Sequence, residues 1–155
     1  MMPEIIAHRG ASYLAPENTL TAFRKAMEIG ADGVEMDVQQ TGDKKLVIHH
    51  DFLIDWHTDM RGQIYDMTME ELKALDFGSW KDVSYKDERI ATLQEVLALC
   101  REMEGTVVQL ELKATIDNDP DFVPRVIEEI RAADITDRLV VISFNHDLLR
   151  QAKQL

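Results

Sequence analysis

The sequence predicts an α/β protein that has a parallel sheet with helices on its outside. Short runs such as Gly33–Val38 alternate apolar and polar residues with the period of two that is typical of β-strands. Segments such as Leu20–Ile29 instead place apolar residues three or four positions apart, as amphipathic helices do. The two kinds of segment follow one another along the chain. Its 155 residues, 45% of them hydrophobic, suffice for one domain with a core.

The first strand is predicted over Ile5–His8, where an apolar run ends in a polar cluster. The loop that follows contains glycine and proline, which favour turns. Asn18 or Thr19 is placed to cap the helix Leu20–Ile29, and Gly30 ends that helix.

Two further strands then follow each other without a helix between them. They are predicted over Gly33–Val38 and Leu46–His50, and the turn Thr41–Asp43 joins them. From residue 51 to about residue 90 the pattern loosens around a short helix near Met69–Leu75. This change indicates an inserted segment after the third strand.

Regular alternation resumes at a helix over Thr92–Met103, where Thr92 and Glu95 have the spacing of a capping box. The remaining elements are a strand, a helix, a strand and a helix, over Val107–Lys113, about 120–132, Leu139–Phe144 and from about Asp147 onward. Five strands make up only part of a (β/α)8 barrel, which usually has about 250 residues. We therefore expect residues 1–155 to form an open sheet or about the first five strands of such a barrel.

Charge and composition exclude several classes of protein. The net charge of -12 argues against a nucleic-acid-binding surface and against a polybasic patch for membranes. No apolar run is long enough to span a membrane, and the N-terminus lacks the apolar core of a signal peptide. The single cysteine, Cys100, has the spacing of a residue packed on a helix. We expect a cytoplasmic protein.

Carboxylates on two strands predict a cation site. Glu35 and Asp37 share one face of their strand, about 6 to 7 Å apart. Glu111 occupies a similar position in a later strand, so three hard oxygen ligands would suit Mg²⁺ or Ca²⁺. In the alternative interpretation, Lys113 forms a buried ion pair with one of these carboxylates and no metal binds.

Histidines and an arginine occur where strands end, which is where ligands bind in parallel α/β folds. His8 ends the first strand and Arg9 follows it, while the third strand ends at a pair of histidines, of which spacing alone does not select His49 or His50. A single histidine at a strand end more often has a structural role. The hypothesis of an acid/base pair therefore requires a histidine at the end of both the first and the third strand. Together with Arg9 and Lys113, which suit phosphate oxygens, the set fits cleavage of a phosphate ester. His57 and His146 are predicted to be surface residues.

With these residues in place, the chain resembles the glycerophosphodiester phosphodiesterase family. The matching segments are His8-Arg9-Gly10, Ala15-Pro16-Glu17-Asn18-Thr19, Glu35-Met36-Asp37-Val38, His50-Asp51, Gly78-Ser79-Trp80, Thr92-Leu93-Gln94-Glu95-Val96-Leu97, Glu111-Leu112-Lys113 and Ser143-Phe144. Their order and spacing extend through almost the whole chain. The resemblance implies a TIM-barrel enzyme with an insertion after strand three, which hydrolyses glycerophosphodiesters to sn-glycerol 3-phosphate and an alcohol.

The resemblance also implies roles for individual residues. It implies one divalent cation, Mg²⁺ or Ca²⁺, whose ligands would be Glu35, Asp37 and Glu111. It implies that His8 and His50 act as the acid/base pair, so that His50 rather than His49 faces the site. Two residues would hold the substrate phosphate, Arg9 and Lys113, and two would support the site, Glu17 and Asn18.

The sequence departs from the family pattern in two places. Ala91 stands where the family commonly has proline. The family's last strands, which close the barrel and complete the substrate pocket, have no counterpart in the 155 residues. We therefore expect an incomplete pocket wall and an exposed sheet edge that favours homo-oligomers.

Two other functions remain open at this stage. A phospholipase D-like enzyme of the same superfamily would use the same polar residues on lysophospholipids and would need an apolar entrance. Six apolar residues of the insertion could supply one: Phe52, Leu53, Ile54, Trp56, Phe77 and Trp80. A catalytically silent fragment or binding module is the second alternative, which the incomplete barrel favours and the full set of polar residues disfavours.

Overall fold

A mixed sheet of six strands organises the chain in a computed structural model that describes residues 3–114 and 119–155. The strands are β1 (Ile6–Ala7), β2 (Gly33–Gln40), β3 (Leu46–Ile48), β4 (Ala91–Thr92), β5 (Val107–Leu112) and β6 (Leu139–Ile142). The α-helices are α1 (Leu20–Glu28), α2 (Met69–Ala74), α3 (Leu93–Glu102), α4 (Phe122–Ala133) and α5 (His146–Gln154). Short 3-10 helices cover Ile64–Asp66, Val83–Tyr85 and Thr136–Arg138. None of the helices in these ranges is long and apolar enough to cross a membrane.

The strand order is β4-β3-β2-β5-β6, and β1 pairs with the beginning of β2. Strands β1, β2, β5 and β6 run parallel, as expected for an α/β sheet. The expectation of a wholly parallel sheet is wrong at β3, which runs antiparallel to β2 and to β4. The cause is the short turn after β2, because a parallel neighbour needs a crossover of a dozen or more residues. Within the described residues the sheet is open and does not close into a barrel.

Side-chain caps begin the helices at the predicted positions. The Thr19 hydroxyl accepts a hydrogen bond from the amide of Ala22 at 3.1 Å, so Thr19 rather than Asn18 caps α1. The capping box of α3 is formed by Thr92 and Glu95 as predicted. The two-residue strand β4 directly before this helix was not predicted.

The outer face of the sheet and the helices share the main hydrophobic core. Val34, Met36 and Val38 point from β2 into this core, where they are fully buried with residues of α1, α3 and α4. Cys100 of α3 is also buried here, as predicted, and burial raises the pKa of its thiol to about 12. The period of two leaves the acidic residues of β2 on the opposite face of the sheet.

The segment between β3 and β4, where the sequence predicted an insertion, has a small core of its own. The core consists of Val47 from β3 and five residues of the segment, Ile54, Ile64, Leu72, Phe77 and Ile90. A capping box of Thr68 and Glu71 begins α2 within it. The segment is therefore a packed unit anchored on β3 and not an irregular loop.

The turn after β1 requires glycine at residue 10. Arg9 and Gly10 both have positive φ angles, 59° and 77°. A Cβ atom on Gly10 would lie 2.7 Å from the carbonyl carbon of Ala22 in α1. The close approach allows the amide of Ala11 to donate to the carbonyl of Ala22 at 2.9 Å. Gly10 thus fixes how the loop carrying Arg9 lies against α1.

We expect Gly10→Ala to lower the free energy of unfolding by about 2 to 4 kcal/mol, because it adds a backbone clash to an unfavourable φ. Gly30→Ala is the matched control. Gly30 also has a positive φ, 86°, but a Cβ there would meet no atom within 4 Å, so about 1 to 2 kcal/mol is expected. Urea unfolding of both variants measures the difference. Equal losses would show that contact with α1 does not constrain the turn.

Candidate active site

Three carboxylates from β2 and β5 form the centre of the site. Asp37 lies directly opposite Glu111 in the parallel pairing of the two strands, and Glu35 is two residues earlier on the same face of β2. One oxygen from each of Glu35, Asp37 and Glu111 lies within 4.8 Å of the other two. Glu35 and Asp37 are buried, and Glu111 is partly buried. The sequence predicted this grouping, and the geometry is that of a group that could hold a metal ion.

Two cationic side chains lie beside these carboxylates. The Lys113 ammonium is 3.2 Å from an oxygen of Glu111 and 3.5 Å from Oδ1 of Asp37. Nε of Arg9 is 3.6 Å from Oδ2 of Asp37. The predicted ion pair of Lys113 therefore forms. Among the described groups, Arg9 and Lys113 provide two positive charges. They face four carboxylates, because Glu17 also binds Arg9.

The loop between β1 and α1 holds the positions of Arg9 and Asp37. Nη1 of Arg9 donates to Oε1 of Glu17 at 2.9 Å. Nδ2 of Asn18 donates to Oδ2 of Asp37 at 2.9 Å, and the Asp37 amide donates to Oδ1 of Asn18 at 3.3 Å. The amide of Asn18 also donates to the carbonyl of Arg9 at 3.1 Å. Glu17 and Asn18, for which a supporting role was predicted, thus contact Arg9 and Asp37.

Burial and the neighbouring negative charges both act on the Glu35 carboxyl. Burial and the neighbouring Asp37 raise the pKa of Glu35 to about 7, although the amide of Arg9 donates to its Oε2 at 2.9 Å. Oδ1 of Asp37 is buried and accepts no hydrogen bond. The Lys113 ammonium is 3.5 Å from this oxygen, an ion-pair contact without a hydrogen bond. An additional cation fits this set of hard oxygen donors.

The predicted histidines lie in different surroundings. His8 follows β1, with 71% of its side chain exposed, and its Nε2 is 3.9 Å from Oε2 of Glu35. His50 follows β3, with 30% of its side chain exposed, and its Nδ1 is 2.8 Å from Oδ1 of Asp51. His8 thus borders the acidic cluster directly, whereas His50 makes its closest polar contact with its neighbour Asp51.

His49 and His50 differ clearly in environment. The His49 ring is buried beside Phe77, and its Nδ1 is 2.8 Å from the carbonyl of Asp51. Burial lowers the pKa of His49 to about 4, so its imidazole is neutral at pH 7. His50 is the more accessible of the two. The choice of His50 that the family resemblance implies stays a prediction.

His57 was predicted to be a surface residue, and this is wrong. Its ring is buried in the insertion between His49 and Trp80, and Nε2 is 3.9 Å from Oε1 of Glu17. No period or motif in the segment marks the position, since its burial comes from contacts between distant parts of the chain. His146, the other histidine placed on the surface, is exposed at the start of α5.

The six apolar residues that could supply an entrance for the phospholipase D-like alternative differ in burial. Ile54 and Phe77 are buried in the small core of the insertion. The other four residues proposed for it are exposed: Phe52, Leu53, Trp56 and Trp80.

The sheet and its polar edge define the chain as an α/β protein with an acidic group able to hold a cation beside basic side chains. The model of the Glycerophosphoryl diester phosphodiesterase family matches residues 8–155. The chain belongs to this family.

Individual proteins support the assignment. A glycerophosphodiester phosphodiesterase of Caldanaerobacter subterraneus is 42% identical over 97% of this chain and 62% of its own length. Glycerophosphodiester phosphodiesterase 1 of Homo sapiens is 34% identical over 91% of this chain and 48% of its own length. An Oleispira antarctica phosphodiesterase, solved in complex with the product sn-glycerol-3-phosphate, is 39% identical, with a TM-score of 0.93 over 99% of this chain and 62% of that protein.

The structural neighbours are TIM-barrel proteins, so the predicted fold class is confirmed. This chain spans about 60% of the length of such relatives. The open sheet therefore corresponds to part of the barrel of its relatives.

We expect Glu35→Gln to stabilise the fold in a pH-dependent way, in buffer with chelator. The Glu35 carboxyl has a pKa of about 7 in the fold, above its ordinary 4.5. Below pH 4.5 it is neutral in the folded and unfolded chains, so the variant gains nothing. As pH rises from 4.5 to 7 the parent loses stability relative to the variant, and above pH 7 the difference reaches about 1 to 3 kcal/mol.

Denaturant unfolding at pH 4.5, 6 and 8 measures this difference. The control is Glu104→Gln at an exposed glutamate before β5, which should not change the pH dependence. A constant or negative effect of Glu35→Gln across the range would contradict the account of an uncompensated charge.

Proposed function

We propose that this chain carries the catalytic face of a metal-dependent phosphodiesterase that hydrolyses glycerophosphodiesters to sn-glycerol 3-phosphate and an alcohol. The observation that carries the proposal is the convergence of three carboxylates, Glu35, Asp37 and Glu111, with two cationic side chains at one edge of the sheet. Carboxylates alone would repel a phosphate diester. A bound cation together with Arg9 and Lys113 would attract it.

The substrate class follows from the family. Relatives that are 34% to 42% identical to this chain over the aligned residues are named glycerophosphodiester phosphodiesterases. The phosphodiesterase from Oleispira antarctica contains sn-glycerol-3-phosphate as its product. We carry this product over to the present chain, with the alcohol as the other product of hydrolysis.

We propose Mg²⁺ or Ca²⁺ as the cofactor, held by Glu35, Asp37 and Glu111, because carboxylate oxygens are the ligands that both ions prefer. The buried Oδ1 of Asp37, which accepts no hydrogen bond, supports this ligand set. When bound, the cation supplies charge neutralisation at the phosphate and lowers the proton affinity of a nearby hydroxyl. Arg9 and Lys113 hold the phosphate oxygens.

The proton transfers are assigned to His8 and His50. In the first step one imidazole accepts the proton of a glycerol hydroxyl while the hydroxyl oxygen bonds to phosphorus. The other imidazole protonates the departing alcohol oxygen as its bond to phosphorus breaks, which leaves a cyclic phosphate. Water then adds to phosphorus, the ring P–O bond breaks, and the two histidines exchange roles.

Hydrolysis of glycerophosphocholine, followed as release of glycerol 3-phosphate in the presence of Mg²⁺ or Ca²⁺, tests the proposal. His8→Ala and His50→Ala should each lower the rate by about a hundredfold or more, because each removes a proton-transfer group. His146→Ala, at an exposed histidine, is the control and should keep the parental rate. Near-full activity of either active-site variant would contradict the scheme. A higher rate on lysophosphatidylcholine would favour the phospholipase D-like alternative.

Cation binding is tested independently by calorimetric titration with Mg²⁺ and Ca²⁺. The parent should bind one cation, and Asp37→Asn or Glu111→Gln should weaken binding at least tenfold, on the order of the loss of one ligand. Glu104→Gln should bind as the parent does. Absence of binding at millimolar concentrations would favour the catalytically silent alternative.

A further inference from the structure

His57 lies between two carboxylates that contact residues of the proposed catalytic set. It belongs to the insertion, and only 8% of the residue is exposed. Its ring meets the ring of His49 edge-on at 4.9 Å between centroids and the ring of Trp80 at 4.6 Å. Its amide donates to the carbonyl of Ile54 at 3.0 Å. The ring is therefore fixed in orientation.

The two ring nitrogens face different parts of the site. Nε2 is 3.9 Å from Oε1 of Glu17, which is the oxygen that accepts from Arg9. Nδ1 is 3.8 Å from Oδ2 of Asp51, whose other oxygen contacts Nδ1 of His50 at 2.8 Å. The His57 imidazole thus faces two carboxylates. One binds Arg9 in the loop after β1, and the other contacts His50 at the end of β3.

Packing alone does not account for an imidazole at this position. Nδ1 of His57 is buried and has no hydrogen-bond partner, and a buried polar atom without a partner destabilises the fold relative to an apolar group of similar shape. Burial also lowers the pKa of His57, which favours a neutral ring with one N–H. At 3.9 and 3.8 Å both contacts are longer than a hydrogen bond, and such a ring can donate its one N–H to only one of the two carboxylates at a time, depending on the tautomer.

We propose that His57 is a positioning residue, which donates its one N–H to Glu17 in one tautomer and to Asp51 in the other, and so keeps these carboxylates oriented toward Arg9 and His50. The inference rests on the proposed function, in which Arg9 binds phosphate and His50 transfers a proton. It assigns to the insertion a direct part in the arrangement of the catalytic face. Groups that position a functional residue typically change affinity or activity by about ten- to a hundredfold when they are removed.

The test compares His57→Leu, His57→Gln and His57→Asn in the whole chain. Leucine fills the space between His49 and Trp80 without a polar atom. The amide nitrogen of glutamine can lie near the position of Nε2 and donate to Glu17. The amide nitrogen of asparagine can lie near the position of Nδ1 and donate to Asp51. His146→Leu is the control for replacement of a histidine at an exposed site.

Two measurements do not depend on turnover. Nitrogen-15 NMR of His50 reports the fraction of neutral rings that carry the proton on Nδ1. In that tautomer Nδ1–H can donate a hydrogen bond to Asp51. Calorimetry with inorganic phosphate in the presence of Mg²⁺ reports the anion site around Arg9. The leucine variant should have a mixed His50 tautomer and about tenfold weaker phosphate binding. Glutamine should restore phosphate affinity, and asparagine should restore the tautomer.

Steady-state kinetics on glycerophosphocholine then separates the two branches. A His50 ring that is no longer oriented lowers kcat, because His50 transfers a proton. An Arg9 side chain that is no longer oriented raises KM, because Arg9 binds the phosphate. If the leucine variant folds and equals the parent in tautomer, phosphate affinity, kcat and KM, the positioning role is overturned while the proposed function stands. If the parent does not hydrolyse the diester, the proposed function fails, and the tautomer and phosphate measurements still decide the role of His57.

If His57→Leu does not fold, the comparison of His57→Gln with His57→Asn tests the positioning role. The positioning role is supported if His57→Gln restores only the phosphate affinity and His57→Asn restores only the His50 tautomer. Identical behaviour of these two variants would overturn it.

Discussion

The site depends on an imbalance of charge that the fold maintains at the carboxyl edge of its sheet. Glu35, Asp37 and Glu111 are held within 4.8 Å of one another, mostly out of water, where like charges repel strongly. Arg9 and Lys113 compensate part of this charge. Burial, and after it the charge of Asp37, raises the pKa of Glu35 to about 7. Folding energy from the core therefore maintains an arrangement of like charges that is unfavourable by itself.

Two local features stabilise the fold despite this excess of negative charge. The period of two in β2 places Val34, Met36 and Val38 in the main core, so the strand that carries the charges is also one of the best-anchored strands. The loop after β1 then brings polar groups against the carboxylates. Arg9 and Asn18 both adopt positive φ angles there, which allows the amide of Arg9 to reach Glu35 and the side chain of Asn18 to reach Asp37. Backbone strain in the loop is offset by hydrogen bonds to buried charge.

Much of this arrangement could be predicted from the sequence because it follows from local rules. Alternation in β2 and β5 predicted that Glu35, Asp37 and Glu111 share a face, and the parallel register places Asp37 beside Glu111. The capping box of Thr92 and Glu95 was predicted from spacing alone.

The features that were missed depend on tertiary contacts. Strand β4 is only two residues long and exists through its pairing with β3. The direction of β3 was inferred from the general pattern of alternation, although the short turn before it allows only an antiparallel neighbour. The burial of His57 results from packing against Trp80 and His49, which no periodicity in the insertion encodes.

The separate core of the insertion has a consequence for how such a protein can diverge. Ile54, Ile64, Leu72, Phe77 and Ile90 pack with one another and reach the sheet through Val47, whereas the helices pack in the main core. Substitutions inside this small core thus act first on the insertion and only indirectly on the main core. Mutational drift there can change exposed aromatic side chains of the insertion, such as Trp56, while β2 and β5 keep their carboxylates. Because His57 of the insertion faces Glu17 and Asp51, selection on this segment can also alter the surroundings of Arg9 and His50 without changing the strands that carry the charge.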